Sequence, residues 1–129
     1  MTDQDTLYRP GDKSKRILVV DDNTDAVESL ALLLELEGHD VRTALNGPAA
    51  LDLASDFQPD AILLDIGLPG MDGYEVARRL RGRPETSGAL IIAITGYGQQ
   101  EDHALTKAAG FDHHLVKPVD PEELGALLA

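Results

Sequence analysis

Five residues able to handle a phosphoryl group or a metal ion lie at the ends of four short apolar runs of the chain. They are Asp21, Asp22, Asp65, Thr95 and Lys117. A carboxylate can act as a nucleophile or as a ligand of a hard cation, a hydroxyl can donate to a phosphoryl oxygen, and an ammonium can neutralise charge on such oxygens. Each residue alone is typical of a helix cap or a solvated side chain. Together, at four strand ends, they indicate a phosphoryl-transfer site.

The apolar runs before these residues are typical of buried parallel strands. They cover residues 17–20, 61–64, 90–94 and 115–116, and none of them alternates with polar residues. Such runs occur where helices cover both faces of a parallel sheet. Because parallel strands end at one edge, where α/β sheets bind their ligands, the five residues are predicted to converge in one crevice.

Helix signals separate the strands. Asn23 or Thr24 caps a helix that ends at Gly38, residues 41–45 form a weaker strand, and further helices are predicted from Asn46 to about 57, from Asp72, from Gln99 to Gly110 and from Asp120. Residues 82–88 form a loop. The alternation predicts an α/β fold: a single doubly wound, five-stranded parallel sheet with flavodoxin-like (βα)5 topology and strand order 2-1-3-4-5.

Bulk composition narrows the class of protein. With 129 residues the chain forms one domain, residues 16–129, preceded by a polar stretch, residues 1–15, predicted to be a flexible arm or linker remnant. The net charge of −12 opposes binding to nucleic acid or to an anionic membrane surface. The chain has no cysteine, and neither a signal peptide nor an apolar run of membrane-spanning length is recognised. A reducing cytoplasm is the expected compartment.

Three acids at one sheet edge require a positive partner, since two like charges about 4 Å apart repel by roughly 4 kcal/mol at an effective dielectric constant near 20. Oxygen ligands favour Mg²⁺, with Mn²⁺ as an alternative ion. Asp65 is the predicted nucleophile because the loop at residues 66–70 leaves it approachable, while Lys117 and Thr95 stabilise the transferred group. Asp21 has a second interpretation as a cap of the first helix.

Four stretches resemble the receiver domain of response regulators, the phosphoacceptor module of two-component signalling. They are residues 16–23, 62–73, 94–96 and 115–118, and the similarity extends from residue 16 to about residue 128. All four motifs in this order and at these separations are highly specific for the family.

The resemblance implies a role for each site residue. Its phosphodonor would be a histidine kinase or a histidine phosphotransfer protein, its downstream partner another protein, and its state a monomer or a weak phosphorylation-dependent dimer. The chain would catalyse only its own phosphorylation and slow dephosphorylation. The resemblance implies that Asp65 is the phosphoacceptor and that Asp22, Asp65 and the Gly67 backbone carbonyl bind the metal ion directly, with Asp21 bound to it through water. It also implies that Lys117 pairs with Asp65 and then with the phosphoryl group, and that Thr95 is the switch hydroxyl. The peptide bond before Pro118 is implied to be cis.

Two positions depart from the family pattern or stretch it. His114 lies three residues before Lys117, where the family carries Tyr or Phe as the aromatic that moves inward on activation. An imidazole titrates near neutrality, which predicts a weaker or pH-sensitive switch. Gly96 follows Thr95 where alanine is commoner, which keeps room for the phosphoryl group but loosens the loop. The resemblance also implies that Tyr97 and Gly67 flank the site where relatives tune hydrolysis, and Tyr97 is predicted to shield the acyl phosphate from water.

Other functions fit these residues less well. A phosphatase of the haloacid-dehalogenase type also combines an Asp nucleophile with Mg²⁺, Thr and Lys, but it needs a second Asp where this chain has Gly67. Flavin binding needs a hydroxyl-rich loop after the first strand, where residues 21–23 are Asp-Asp-Asn. A silent receiver is disfavoured because no key group is missing. A stand-alone regulator and one receiver of a hybrid sensor kinase both stay open.

Overall fold

Five strands alternate with five helices in the part of the chain that the structure, a computed structural model, describes: residues 14–96 and 103–129. The strands are β1 Arg16–Val20, β2 Asp40–Ala44, β3 Ala61–Asp65, β4 Leu90–Thr95 and β5 His113–Val116. The helices are α1 Thr24–Leu36, α2 Gly47–Phe57, α3 Gly73–Arg81, α4 His103–Ala109 and α5 Pro121–Leu128.

The predicted sheet is confirmed. All five strands are parallel and lie in the order β2-β1-β3-β4-β5. Val20 pairs with Leu64, so β1 and β3 are neighbours in the middle of the sheet and end level with each other. The residues that follow these two strands therefore meet at one edge, as the strand order requires.

Side chains that alternate along each strand supply a separate core on either face of the sheet. On β1, Leu18 and Val20 pack with residues of α2 and α3, whereas Ile17 and Val19 pack with residues of α1 and α5. Both faces of the central strands are thus covered, which explains why their sequences are apolar throughout. Polar side chains of the central sheet therefore lie at the strand ends.

Polar side chains begin four of the helices. Asn23, Asn46, Asp72 and Asp120 are the N-caps of α1, α2, α3 and α5, and each accepts a hydrogen bond from a backbone N–H of the first turn. β2 starts one residue earlier than predicted and ends at Ala44. The start of α4 predicted near Gln99 lies outside the described residues, as does most of the arm predicted over residues 1–15. None of the helices in residues 14–96 and 103–129 has the length and apolarity needed to span a bilayer.

Candidate functional site

Three carboxylates meet at the carboxyl edge of the sheet. β1 leads directly to Asp21 and Asp22, and Asp65 is the last residue of β3. One oxygen atom from each acid lies within 4.8 Å of the others. Asp21 and Asp65 are buried and Asp22 is exposed. The predicted convergence of the acids is therefore present, with Asp22 on the solvent side.

Lys117, just past the end of β5, supplies the positive charge beside these acids. Its Nζ lies 2.6 Å from Asp21 Oδ2 and 3.4 Å from Asp65 Oδ2. Burial lowers the pKa of Lys117, but the hydrogen bond to Asp21 and the charges of Asp65 and Asp21 outweigh it, and the pKa is raised above its ordinary value. The ammonium is thus held charged. The family resemblance predicts Asp65 as the partner of Lys117, whereas in the structure the Lys117 ammonium lies nearer to Asp21.

Asp65 is less accessible than the sequence predicts. The Gly67 N–H donates to Asp65 Oδ1 at 2.8 Å, and Lys117 lies against Oδ2, so that the side chain is only 10% exposed. The loop after β3 turns back onto the carboxylate, which is why it covers the acid that it was expected to leave open. The Gly67 N–H also fixes the orientation of the carboxylate.

Asp21 is held by the backbone just after it. Its Oδ1 accepts from the Asn23 N–H at 2.9 Å, and its Oδ2 pairs with Lys117. The cap of α1 is Asn23, whose Oδ1 accepts from the Ala26 N–H at 3.0 Å. The interpretation of Asp21 as the helix cap is therefore wrong, because Asn23 occupies that position.

Thr95 and His114 are joined across the neighbouring strands β4 and β5. Thr95 is buried, and its Oγ1 lies 3.1 Å from His114 Nε2 and 3.5 Å from the Leu115 carbonyl oxygen. The strand register pairs His114 with Ala93, two residues before Thr95, so the ring of His114 lies on the same face of the sheet as the Thr95 hydroxyl and within its reach. Both residues are predicted from the sequence to belong to the switch, but a hydrogen bond between them is not.

Gly73, the first residue of α3, touches the backbone of the phosphoacceptor candidate. A Cβ built at Gly73 would lie 2.4 Å from Ile66 Cα and 2.7 Å from the Asp65 carbonyl oxygen, and the Gly73 N–H donates to the Ile66 carbonyl at 3.2 Å. Only glycine permits this close approach. A role for Gly73 is not predicted from the sequence, where the available signal is its position directly after the cap Asp72.

The donor set fits a hard divalent cation. Among the described residues, the group of acids able to hold a metal ion is Asp21, Asp22 and Asp65, and all its ligand atoms are oxygens. The Lys117–Pro118 peptide bond is cis. Gly67 lies beside Asp65 and Gly96 follows Thr95 directly, whereas Tyr97 lies outside the described residues.

An apolar cavity of about 540 Å³ opens beside Asp21 and Lys117. One wall comes from α1, including Ala26, Leu30 and Leu33, and the other from Pro118 and Val119. Asp21 is thus bordered by an apolar surface as well as by the charged lysine.

Fold and site together define an α/β domain with an acidic cluster and a paired lysine at the carboxyl edge of its sheet. The family model for response regulator receiver domains matches residues 17–129. The chain belongs to this family and is a receiver domain of the two-component response regulators.

Individual relatives agree with this assignment. The chain is 39% identical to the protein PilH of Pseudomonas aeruginosa over 109 residues, which cover 84% of this chain and 90% of PilH. It is 41% identical to the response regulator PleD of Caulobacter vibrioides over 107 residues, 83% of this chain but 24% of PleD. The same unit therefore occurs both in small proteins and in longer ones.

Solved structures show the same fold. A CheY-like receiver domain protein from Methanospirillum hungatei superposes with a TM-score of 0.79 at 34% identity, covering 87% of this chain and 88% of that one. The chemotaxis response regulator CheY4 of Vibrio cholerae gives a TM-score of 0.80 at 31% identity, covering 88% and 94%.

Proposed function

We propose that Asp65 accepts a phosphoryl group from a phosphohistidine of a histidine kinase or a histidine phosphotransfer protein, and that the phosphorylated chain presents a changed surface to a downstream protein. The observation that carries this proposal is the cluster itself: three carboxylates within 4.8 Å and an ammonium 3.4 Å from Asp65. Membership of the receiver family supports it.

In the proposed transfer, a carboxylate oxygen of Asp65 forms a bond to phosphorus as the phosphorus–nitrogen bond of the donor breaks. The electron pair stays on the imidazole nitrogen, which takes up a proton from solvent. Phosphoryl transfer depends mainly on positioning and electrostatics. The Gly67 N–H orients the carboxylate, the Lys117 ammonium offsets charge on the transferred oxygens, and the Thr95 hydroxyl donates to one of them.

The transfer is proposed to require Mg²⁺, or Mn²⁺ in its place. Asp22 and Asp65 would hold the ion directly together with the Gly67 carbonyl, and Asp21 would hold it through water. When bound, the ion supplies positive charge that neutralises the carboxylates and the incoming phosphoryl oxygens. Asp21, with both oxygens engaged by Asn23 and Lys117, suits a contact through water better than a direct one.

The partner that carries the phosphohistidine is proposed to dock over the apolar cavity beside the acids. Leu30 and Leu33 of α1 and Val119 offer a surface on which an apolar helix face can bind. A partner seated there would bring its histidine to the exposed side of the cluster, next to Asp22. Beyond this self-phosphorylation and slow hydrolysis, we propose no enzymatic activity.

Incubation with acetyl phosphate or phosphoramidate, followed by intact-mass measurement, tests this function. Wild-type protein should gain one phosphoryl group when MgCl₂ is present and none when EDTA is present. Asp65→Asn keeps the shape of the side chain and should gain none, whereas the matched control Asp60→Asn, at the opposite edge of the sheet, should gain as much as wild type. Labelling of Asp65→Asn at the wild-type rate would refute the proposal.

A further inference from the structure

We propose that His114 is a positioning residue that donates its Nε2–H to Thr95 in the phosphorylated state, so that the Thr95 hydroxyl proton points at the phosphoryl group. The inference rests on the function proposed above. It starts from one contact, the 3.1 Å distance between Thr95 Oγ1 and His114 Nε2.

Counting hydrogens at Thr95 leads to this assignment. A hydroxyl carries one proton and two acceptor lone pairs, whereas phosphoryl oxygens only accept hydrogen bonds. If Thr95 donates its single proton to the phosphoryl group, Oγ1 can keep His114 as a partner only by accepting from it. A bare Nε2 would have to lose the contact, while a protonated Nε2 keeps it and strengthens the donor through the chain of hydrogen bonds.

The surroundings allow the ring to stay in place. Thr95 is buried and His114 is half-buried on β5, so solvent competes weakly for the bond between them. His114 also lines a cavity of about 350 Å³, together with Thr106 and Lys107 of α4. A hydrogen-bond chain from the phosphoryl group through Thr95 to His114 would therefore reach the boundary between β5 and α4.

A spectroscopic experiment reads the position of the proton directly. Beryllium fluoride with MgCl₂ serves as the phosphoryl probe, and long-range proton–nitrogen NMR of the full chain reports which ring nitrogens carry a proton. His114 signals are assigned by their loss in His114→Gln. With the probe bound, Nε2 of His114 should show the nitrogen shift of a protonated ring atom. A shift typical of an unprotonated Nε2 would overturn the inference.

Affinity for the same probe supplies a second readout that includes a rescue. His114→Phe keeps the ring but removes the donor, and should weaken beryllium fluoride binding by about tenfold, the value of one hydrogen bond that engages a charged network. His114→Gln restores an N–H donor and should bind within about twofold of wild type. The control is His113→Gln, the exposed neighbour, which should bind like wild type.

The outcomes separate the two proposals. Equal affinity of wild type and His114→Phe would overturn the role of His114 and leave Asp65 as the phosphoacceptor. Failure of wild type to bind the probe would refute the proposed function and this inference with it. Urea denaturation of His114→Phe and His114→Gln checks that both fold, and the NMR measurement on wild type does not depend on either variant.

Discussion

Replacing Lys117 by methionine should destabilise the protein when magnesium is absent and have little effect when magnesium is present. The ammonium lies 2.6 Å from Asp21 and 3.4 Å from Asp65, whose side chains are 8% and 10% exposed. Removing one partner of a buried ion pair costs about 3–5 kcal/mol. Because the Lys117 side chain is 31% exposed, solvent screens part of this interaction, and we expect a loss of about 2 kcal/mol.

A bound divalent cation supplies the countercharge that the variant lacks. The loss of unfolding free energy should therefore fall below about 0.5 kcal/mol at saturating MgCl₂. The difference between the two losses, about 1.5 kcal/mol, corresponds to roughly tenfold tighter magnesium binding by Lys117→Met than by wild type.

Urea denaturation followed by circular dichroism at neutral pH measures both losses, in EDTA and in MgCl₂, with potassium chloride used to match ionic strength. Lys107→Met, the same substitution at an exposed position of α4, is the control and should change stability little in either buffer. The same loss for Lys117→Met in both buffers would mean that the ion does not bind beside Lys117. That result would refute the assignment of the metal site.

Three further predictions distinguish changes that affect the site from changes that affect only the stability of the fold. Gly73→Ala should cost about 1–3 kcal/mol in urea denaturation and slow the labelling of Asp65, because the added methyl meets the backbone beside it. Gly125→Ala in α5, where that methyl meets no described atom within 4 Å, should instead add about 0.5–1 kcal/mol; equal effects would contradict the geometry. Arg81→Met should destabilise by about 2–3 kcal/mol, since Arg81 donates to the Gly110 carbonyl and to Asp112, yet leave the labelling rate of the folded protein unchanged. Because the folded pKa of Lys117 is raised, its stabilising contribution is complete below the ordinary value of 10.5 and is lost as pH rises through the folded value. The difference in unfolding free energy between wild type and Lys117→Met in EDTA should accordingly stay constant near neutral pH and disappear only in strong alkali. A difference that disappears as the pH is lowered from alkaline to neutral would contradict this prediction.

The sheet was predictable because its central strands are buried on both faces. The apolar runs before Asp21, Asp65 and Thr95 indicate a covered parallel sheet, and flavodoxin-like topology, one of the common doubly wound arrangements, then predicts the strand order that is observed. The convergence of the acids follows from that order alone. The edge strand β2, exposed at Asp40, Arg42 and Thr43, carries a weaker signal, and its predicted bounds differ from the observed ones by one residue at each end.

What the sequence could not provide is the choice among neighbouring partners at the site. Lys117 has two carboxylates within reach, and the shorter distance to Asp21 depends on side-chain conformation, which no strand pattern specifies. The enclosure of Asp65 depends on the loop after β3 turning its Gly67 N–H inward. The contact of His114 with Thr95 depends on the register of β4 against β5.

The charges at the site suit one cluster to both of its proposed roles, metal binding and phosphoryl transfer. Three carboxylates and one ammonium leave two negative charges uncompensated, which matches the charge of a single divalent cation. With the ion bound, the cluster is neutral and no longer repels an anionic donor. Without it, Lys117 is the cation that the described residues place against both Asp21 and Asp65. The lysine is thus the internal counterion of the metal-free protein, and for this reason its removal is expected to strengthen metal binding rather than to weaken it.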